Sequence, residues 1–149
     1  MPRYILLIRS DEETEKGAMP PKEAIENMTQ YYKDLTAAGI LVYADGMHAS
    51  NRGHRIIFPG SGSPPEVEKG PFPANELVCG FWILQTKTEE EALGWAKKCP
   101  IAAAPRKCVL ELRPFVSMED VGMENFSEDA KKTQEEGRKM QDEKLGFKG

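Results

Sequence analysis

The sequence predicts an α+β domain in which an antiparallel sheet carries two helices on one face. Three observations predict it. Short apolar segments rich in β-formers and two amphipathic segments follow one another as strand, helix, two or three strands, helix, strand. The most hydrophobic extended run, Leu77 to Leu84, leads almost directly into a capped helix. The apolar pattern stops near residue 116, where the composition turns strongly charged.

Taken in order, Tyr4 to Ile8 is short and apolar between Arg3 and Arg9, which makes it the first strand. The polar SDEETEKGAM that follows reads as a surface loop. Pro20 and Pro21 suit a helix's first turn. Ala24, Met28, Tyr31, Leu35 and Ala38 then recur at spacings of three and four, Ile25 and Tyr32 widen the stripe, and Gly39 is the expected C-terminal cap. Ile40 to Ala44 predicts a second strand and His54 to Phe58 a third, joined by the turn-rich DGMHASNRG. PGSGSPP is a loop, and a short extended piece around Val67, its pairing open, leads to the turn KGPF.

Leu77 to Leu84 has the pattern of a strand covered on both faces, Gly80 marking a bulge or a close approach by another group. Thr88 with Glu91 forms a capping box, and Ala92, Leu93, Ala96 and Cys99 supply the buried stripe of a second helix that ends before Pro100. Lys107 to Val116 closes the sheet. Its Cys108, Leu110 and Leu112 lie on one face and Val109, Glu111 and Arg113 on the other, until Pro114 interrupts the ladder.

This order is the split βαβ arrangement of a ferredoxin-like fold, and it leaves one sheet face uncovered. With Tyr4, Phe81 or Trp82, and Val109 placed on it, that face is too apolar for water. A second copy packed sheet to sheet is the simplest cover and gives an isologous homodimer. Residues 1–116 form this domain. Residues 117–149 form a charged extension with nine acidic and six basic side chains and thin apolar punctuation at Phe126, Ala130, Met140, Leu145 and Phe147. Ser127 with Asp129 and Ala130 starts a helix of about four turns there, a surface appendage or an arm laid on a partner subunit.

Composition narrows the function classes. A net charge of −4, without a dense basic run, disfavours nucleic acid and anionic membrane surfaces as partners. No apolar stretch approaches the roughly 20 residues that span a bilayer. The start, MPRYILLIRSDEE, has too short an apolar run and too early an acidic cluster for a signal peptide, so the expected location is cytoplasmic. Cys79, Cys99 and Cys108 are odd in number and lack metal-ligand spacing, which predicts buried thiols with neither a disulfide framework nor a metal site. Without a glycine-rich dinucleotide loop or a GxxxxGK[ST] motif, no cofactor is indicated.

Several segments together resemble the YCII-related family, in particular its DGPF branch: YILLIR, LTAAGILVYADGMHAS, KGPF, ELVCGFWIL, TEEEALGWAKKCP and VLELRPF. The match spans most of residues 3 to 116, and the tail is outside it. The resemblance implies a dimeric α/β-barrel assembly. It also implies, through some relatives in the wider group, cofactor-free chemistry by a histidine and an aspartate on small, often aromatic, substrates. That histidine lies on the first helix, where this chain has ENMTQYYKDL and no histidine. The branch's name motif also departs, with Lys69 in place of the aspartate while Gly70, Pro71 and Phe72 remain.

Candidate chemistry therefore rests on other residues. His48 is a candidate because an imidazole can give or take a proton at working pH, and Asp45, three positions earlier, is placed to orient it across a hairpin turn. The ordinary alternative is a surface histidine beside an Asx-type turn. Glu76 becomes a general acid or base if Phe72, Leu77 and Trp82 desolvate it, and is otherwise a carboxylate at the start of a strand. Phe72, Phe81 and Trp82 are expected to shape an apolar cleft between sheet and helices, with Tyr32 as a phenolic donor and Arg113 as an anchor for an anionic group. For the tyrosines the plainer expectation is that one of Tyr31 and Tyr32 is core and the other half exposed. The resulting functional expectation is cofactor-independent acid/base catalysis of lyase, isomerase, decarboxylase or cyclase type on a small, aromatic or polyketide-like metabolite. The alternative is a non-catalytic small-molecule-binding or dimeric assembly module.

Overall fold

The computed structural model of the chain describes residues 1–145, and at Ala102 and Ala103 the backbone alone. In order, the elements are β1 (Arg3–Arg9), α1 (Glu12–Glu15), α2 (Lys22–Ala37), β2 (Leu41–Gly46), β3 (His54–Ile57), β4 (Glu66–Lys69), β5 (Val78–Gln85), α3 (Glu89–Lys97), β6 (Leu110–Pro114), α4 (Met118–Val121) and α5 (Glu128–Lys144). The main sheet has the order β2-β5-β1-β6 with every adjacent pair antiparallel, and β3 pairs β4 in a separate hairpin. That is the ferredoxin-like order: β5 and β1 are central, and the hairpin is an insertion between β2 and β5.

Strand alternation decides what the helices cover. Leu6, Trp82 and Leu84 face α2 and α3, meeting Tyr31 and Leu35 from the first and Ala96 from the second, together with Ile40 and Cys99. Leu6, Leu35 and Leu84 are wholly buried, each burial worth about 1.5–3 kcal/mol before entropy is counted. Tyr31 meets Trp82 edge to face at 5.7 Å and donates its hydroxyl to the Trp95 carbonyl at 2.9 Å, which satisfies the polar end of a buried ring. Burial pushes its phenol pKa up.

The amphipathic stripe of α2 is narrower than its spacing predicts. Met28, Tyr31 and Leu35 pack inward, whereas Ala24, Ile25, Tyr32 and Ala38 are exposed, because the flat sheet reaches only one narrow side of the helix. Leu93 on α3 is likewise exposed. Thr88 caps α3 by accepting from the Glu91 amide, but the Glu91 carboxylate takes the Lys87 amide rather than that of Thr88, so the expected capping box is only half formed. The sequence SDEETEKGAM is not simply a loop: Asp11 accepts from the Thr14 amide and starts α1. Gly39, at φ +70, follows α2 as expected. Pro114 does not break the last strand but stands opposite Tyr4 on edge strand β6, where no further ladder needs its missing N–H.

Gly80 serves both purposes expected of it. The β1 register slips between Ile8 and Arg9 beside it, and an added Cβ would stand 3.2 Å from the Asp45 carbonyl oxygen and 3.2 Å from Ile8. Beyond the sheet, Ser117 and Asp120 form a reciprocal capping box on α4, and the Ser127 hydroxyl caps α5 as the sequence predicts. Arg3 reaches Asp142 at 2.5 Å and so fastens α5 to the start of β1. Phe147, expected among the apolar positions of the tail, lies outside the described residues.

Candidate functional site

The alternation that sends Leu6, Trp82 and Leu84 to the helices turns Ile5, Leu7, Phe81 and Ile83 to the other face of the sheet, all of them half-buried. Tyr43 and Asp45 join them from β2, and Glu111 and Arg113 from β6. Of the residues expected on this face, Phe81 rather than Trp82 lies on it, Tyr4 is a core residue at 6% exposure, as Trp82 is at 5%, and Val109 precedes β6. The open face is apolar even so, because the β-branched and aromatic residues alternate with the core ones.

Asp45 stands opposite Phe81 in the ladder. Its Oδ2 accepts the Tyr43 hydroxyl at 3.0 Å, its Oδ1 accepts the Gly46 amide at 2.9 Å, and the Tyr43 ring lies 5.9 Å from that of Phe81. The bond to the Asp45 carboxylate raises the Tyr43 phenol pKa, so the tyrosine keeps its proton and donates a hydrogen bond to that carboxylate beside an aromatic wall. On the far side of the same face Glu111 lies between Arg9 at 3.7 Å and Arg113 at 3.9 Å.

At the end of the sheet where β1 stops and β5 starts, the KGPF turn is built on Ser50. The Gly70–Pro71 bond is cis, and the Gly70 amide donates to the Gly53 carbonyl at 3.0 Å. The Phe72 amide donates to Ser50 Oγ at 2.8 Å, and that hydroxyl donates to Glu15 at 2.5 Å. The Ser50 amide also points at the Glu15 carboxylate, 3.1 Å from both oxygens. Every polar atom of Ser50 here is committed to holding three segments together. Lys69 only pairs with His54 in the hairpin ladder and has an exposed side chain, so the turn keeps its shape without an aspartate at that position.

The structure brings the sequence-predicted residues together only in part. His48 does not meet Asp45: its Nε2 lies 2.9 Å from Arg52 Nη1, while Asp45 is held by Tyr43 and its own turn. Glu76 is exposed and ion-paired with Arg55 at 2.9 Å, and Arg55 in turn stacks 4.1 Å over Phe72, so no apolar pocket desolvates that carboxylate. Phe81 and Trp82 cannot line one cleft, because neighbours on a strand point to opposite faces. Tyr32 is half exposed on α2 while Tyr31 is core, as the plainer expectation had it. Arg113 shares the open face with Asp45 and Phe81. Of the three thiols, Cys99 alone is buried, and Cys79 and Cys108 are half-buried.

Two of the surface cavities among the described residues stand out, and neither is lined by any of the predicted site residues. One, of about 380 Å³, lies between the end of α3 and the start of β6; the other, of about 200 Å³, lies between α2 and α3. Sequence reasoning missed Tyr43, although its i, i+2 spacing to Asp45 on a strand was the available signal. It also missed Glu15 and Ser50, which are 35 residues apart and carry no local signature. Among the described residues no group of three or more His, Cys, Asp or Glu side chains is placed to hold a metal ion, and no helix is long and apolar enough to cross a membrane.

An antiparallel four-stranded sheet of this order, helices on one face and an apolar open face on the other, defines the ferredoxin-like α+β class. Within it, residues 2–116 match the YCII-related domain, and the chain belongs to that family. No curated protein matches the chain.

Proposed function

We propose that two copies of the chain pack open face to open face and enclose a small-molecule site in which Asp45, held by Tyr43, moves a proton without a cofactor. The observation that carries this reading is the Tyr43–Asp45 hydrogen bond beside Phe81 on a face whose apolar residues Ile5, Leu7, Phe81 and Ile83 remain only half-buried. Exclusion of water by a second sheet would strengthen that bond and hold the Asp45 carboxylate in one orientation. Phe81 then offers a stacking surface, Arg113 and Arg9 an anionic anchor at the opposite edge, and Asp45 the acceptor of the substrate's proton. The reaction class is proton transfer next to a carbonyl: elimination, isomerisation, decarboxylation or cyclisation of a small aromatic or polyketide-like metabolite. His48 takes no part at the Asp45 carboxylate in this scheme.

A library of aromatic keto acids, screened for binding and then for turnover, tests it. Asp45→Asn should keep binding and lose turnover by about 100-fold or more, the usual contribution of a positioned acid or base. Binding with no turnover by either the native chain or the variant would instead favour a non-catalytic binding module. The specific observation on that side is that His48 and Glu76 are each engaged by an arginine.

A further inference from the structure

The cavity at the end of α3 lies on the helix side of the sheet, away from the open face, and its wall is divided by chemistry. Ala96, Cys99, Ile101, Cys108 and Leu110 form the apolar part. Lys97, Arg106 and Lys107 form the rim, and no carboxylate among the described residues lines it. Arg106 is already matched, because its Nε lies 2.5 Å from Asp11 Oδ2 outside the wall. Lys97 and Lys107 have no carboxylate within ion-pair distance among the described residues. What sets these two lysines apart is that both stand at the rim of one apolar recess. The arrangement leaves positive potential focused at the mouth of a low-dielectric recess.

We propose that this cavity binds a small amphipathic anion, a one-ring or short-chain carboxylate whose apolar body rests on Ile101 and Leu110 and whose charge lies between Lys97 and Lys107. The volume of about 380 Å³ is near the lower end of the roughly 300–1,000 Å³ of small-molecule pockets, which suits one ring rather than a fused system. Neither the charge pattern nor the volume depends on the open face, so this site stands whether or not Asp45 is a catalytic base.

Cysteine placement supplies the test. Cys108 lies in the wall, half-buried, and Cys79 lies outside it with similar exposure, so one thiol reports occupancy and the other is an internal control. The full chain would be alkylated with iodoacetamide at rising concentrations of phenylacetate or of its neutral isostere phenylacetamide, and each cysteine followed by peptide mass spectrometry. Phenylacetate should protect Cys108 and leave Cys79 unchanged, while the amide should protect poorly. In the Lys97→Gln/Lys107→Gln variant, whose altered side chains are exposed, the phenylacetate concentration for half protection should rise about tenfold, equivalent to about 1.4 kcal/mol. No protection of Cys108, equal protection by acid and amide, or undiminished protection in the double variant would each overturn the proposal.

Discussion

Gly70 lies directly against the backbone of Ser50: a Cβ built at Gly70 would stand 1.9 Å from the Ser50 carbonyl oxygen and 2.6 Å from its carbonyl carbon. Backbone cannot rotate aside as a side-chain end can, so the turn must open to admit any other residue. Gly70→Ala is therefore expected to lower stability by about 1–3 kcal/mol, read as a lower urea midpoint at unchanged slope. An unaltered midpoint would mean that this contact is not made in solution.

Ser50 is the second half of that junction. Ser50→Ala removes the acceptor for the Phe72 amide and one donor to Glu15, leaving part-buried groups unpaired. A loss of about 1–3 kcal/mol is expected, with Ser50→Thr recovering part of it. Hydrogen exchange at the Phe72 amide gives a direct check, since it should become faster in the alanine variant.

Phe81 and Trp82 are adjacent in sequence and should behave as opposites. Trp82→Ala empties a core position 5% exposed and is expected to cost about 3–5 kcal/mol. Phe81→Ala should leave the urea midpoint of the single chain much less affected and act instead on self-association. Equal destabilisation by the two would refute the assignment of faces.

The carboxyl of Asp11 is held below the usual carboxylate range, first by its bond to the Arg106 guanidinium and then by the Thr14 amide. Because the folded pKa is the lower one, its contribution to stability is present above the unfolded value of about 3.9 and is lost as pH falls through the folded value. An NMR titration should find Asp11 inflecting below a typical aspartate and moving upward in Arg106→Gln. Identical inflections in both proteins would remove Arg106 as the cause.

Most of the fold was legible because its signals are local. The spacing around Tyr31 and Leu35, the threonine cap at Thr88, and the serine cap at Ser127 each describe one element and predict it well. Gly80 could be read as a bulge or close approach because a glycine inside an apolar strand has few other reasons to be there. The side a strand residue faces was harder. Leu77 to Leu84 is apolar at nearly every position, so the sequence carries no period-two contrast, and Tyr4, Phe81 and Trp82 could be assigned to faces only from the register of β1 on β5. The site was least legible, since its contacts join distant segments: Glu15 to Ser50, Ser50 to Phe72, Asp11 to Arg106. His48 and Asp45 are close in sequence, yet Arg52 and Tyr43 take their hydrogen bonds.

The pairing of open faces is the claim on which the enclosed site depends, and self-association measures it most directly. Leu7 lies on that face with Phe81 and Glu111 as its register partners, so Leu7→Glu places a charge at its centre. In sedimentation equilibrium the native chain should give twice the single-chain mass, and Leu7→Glu should give the single-chain mass with an unchanged far-ultraviolet dichroism spectrum. A native chain that sediments as a monomer, or a Leu7→Glu variant that remains a dimer, would contradict the account.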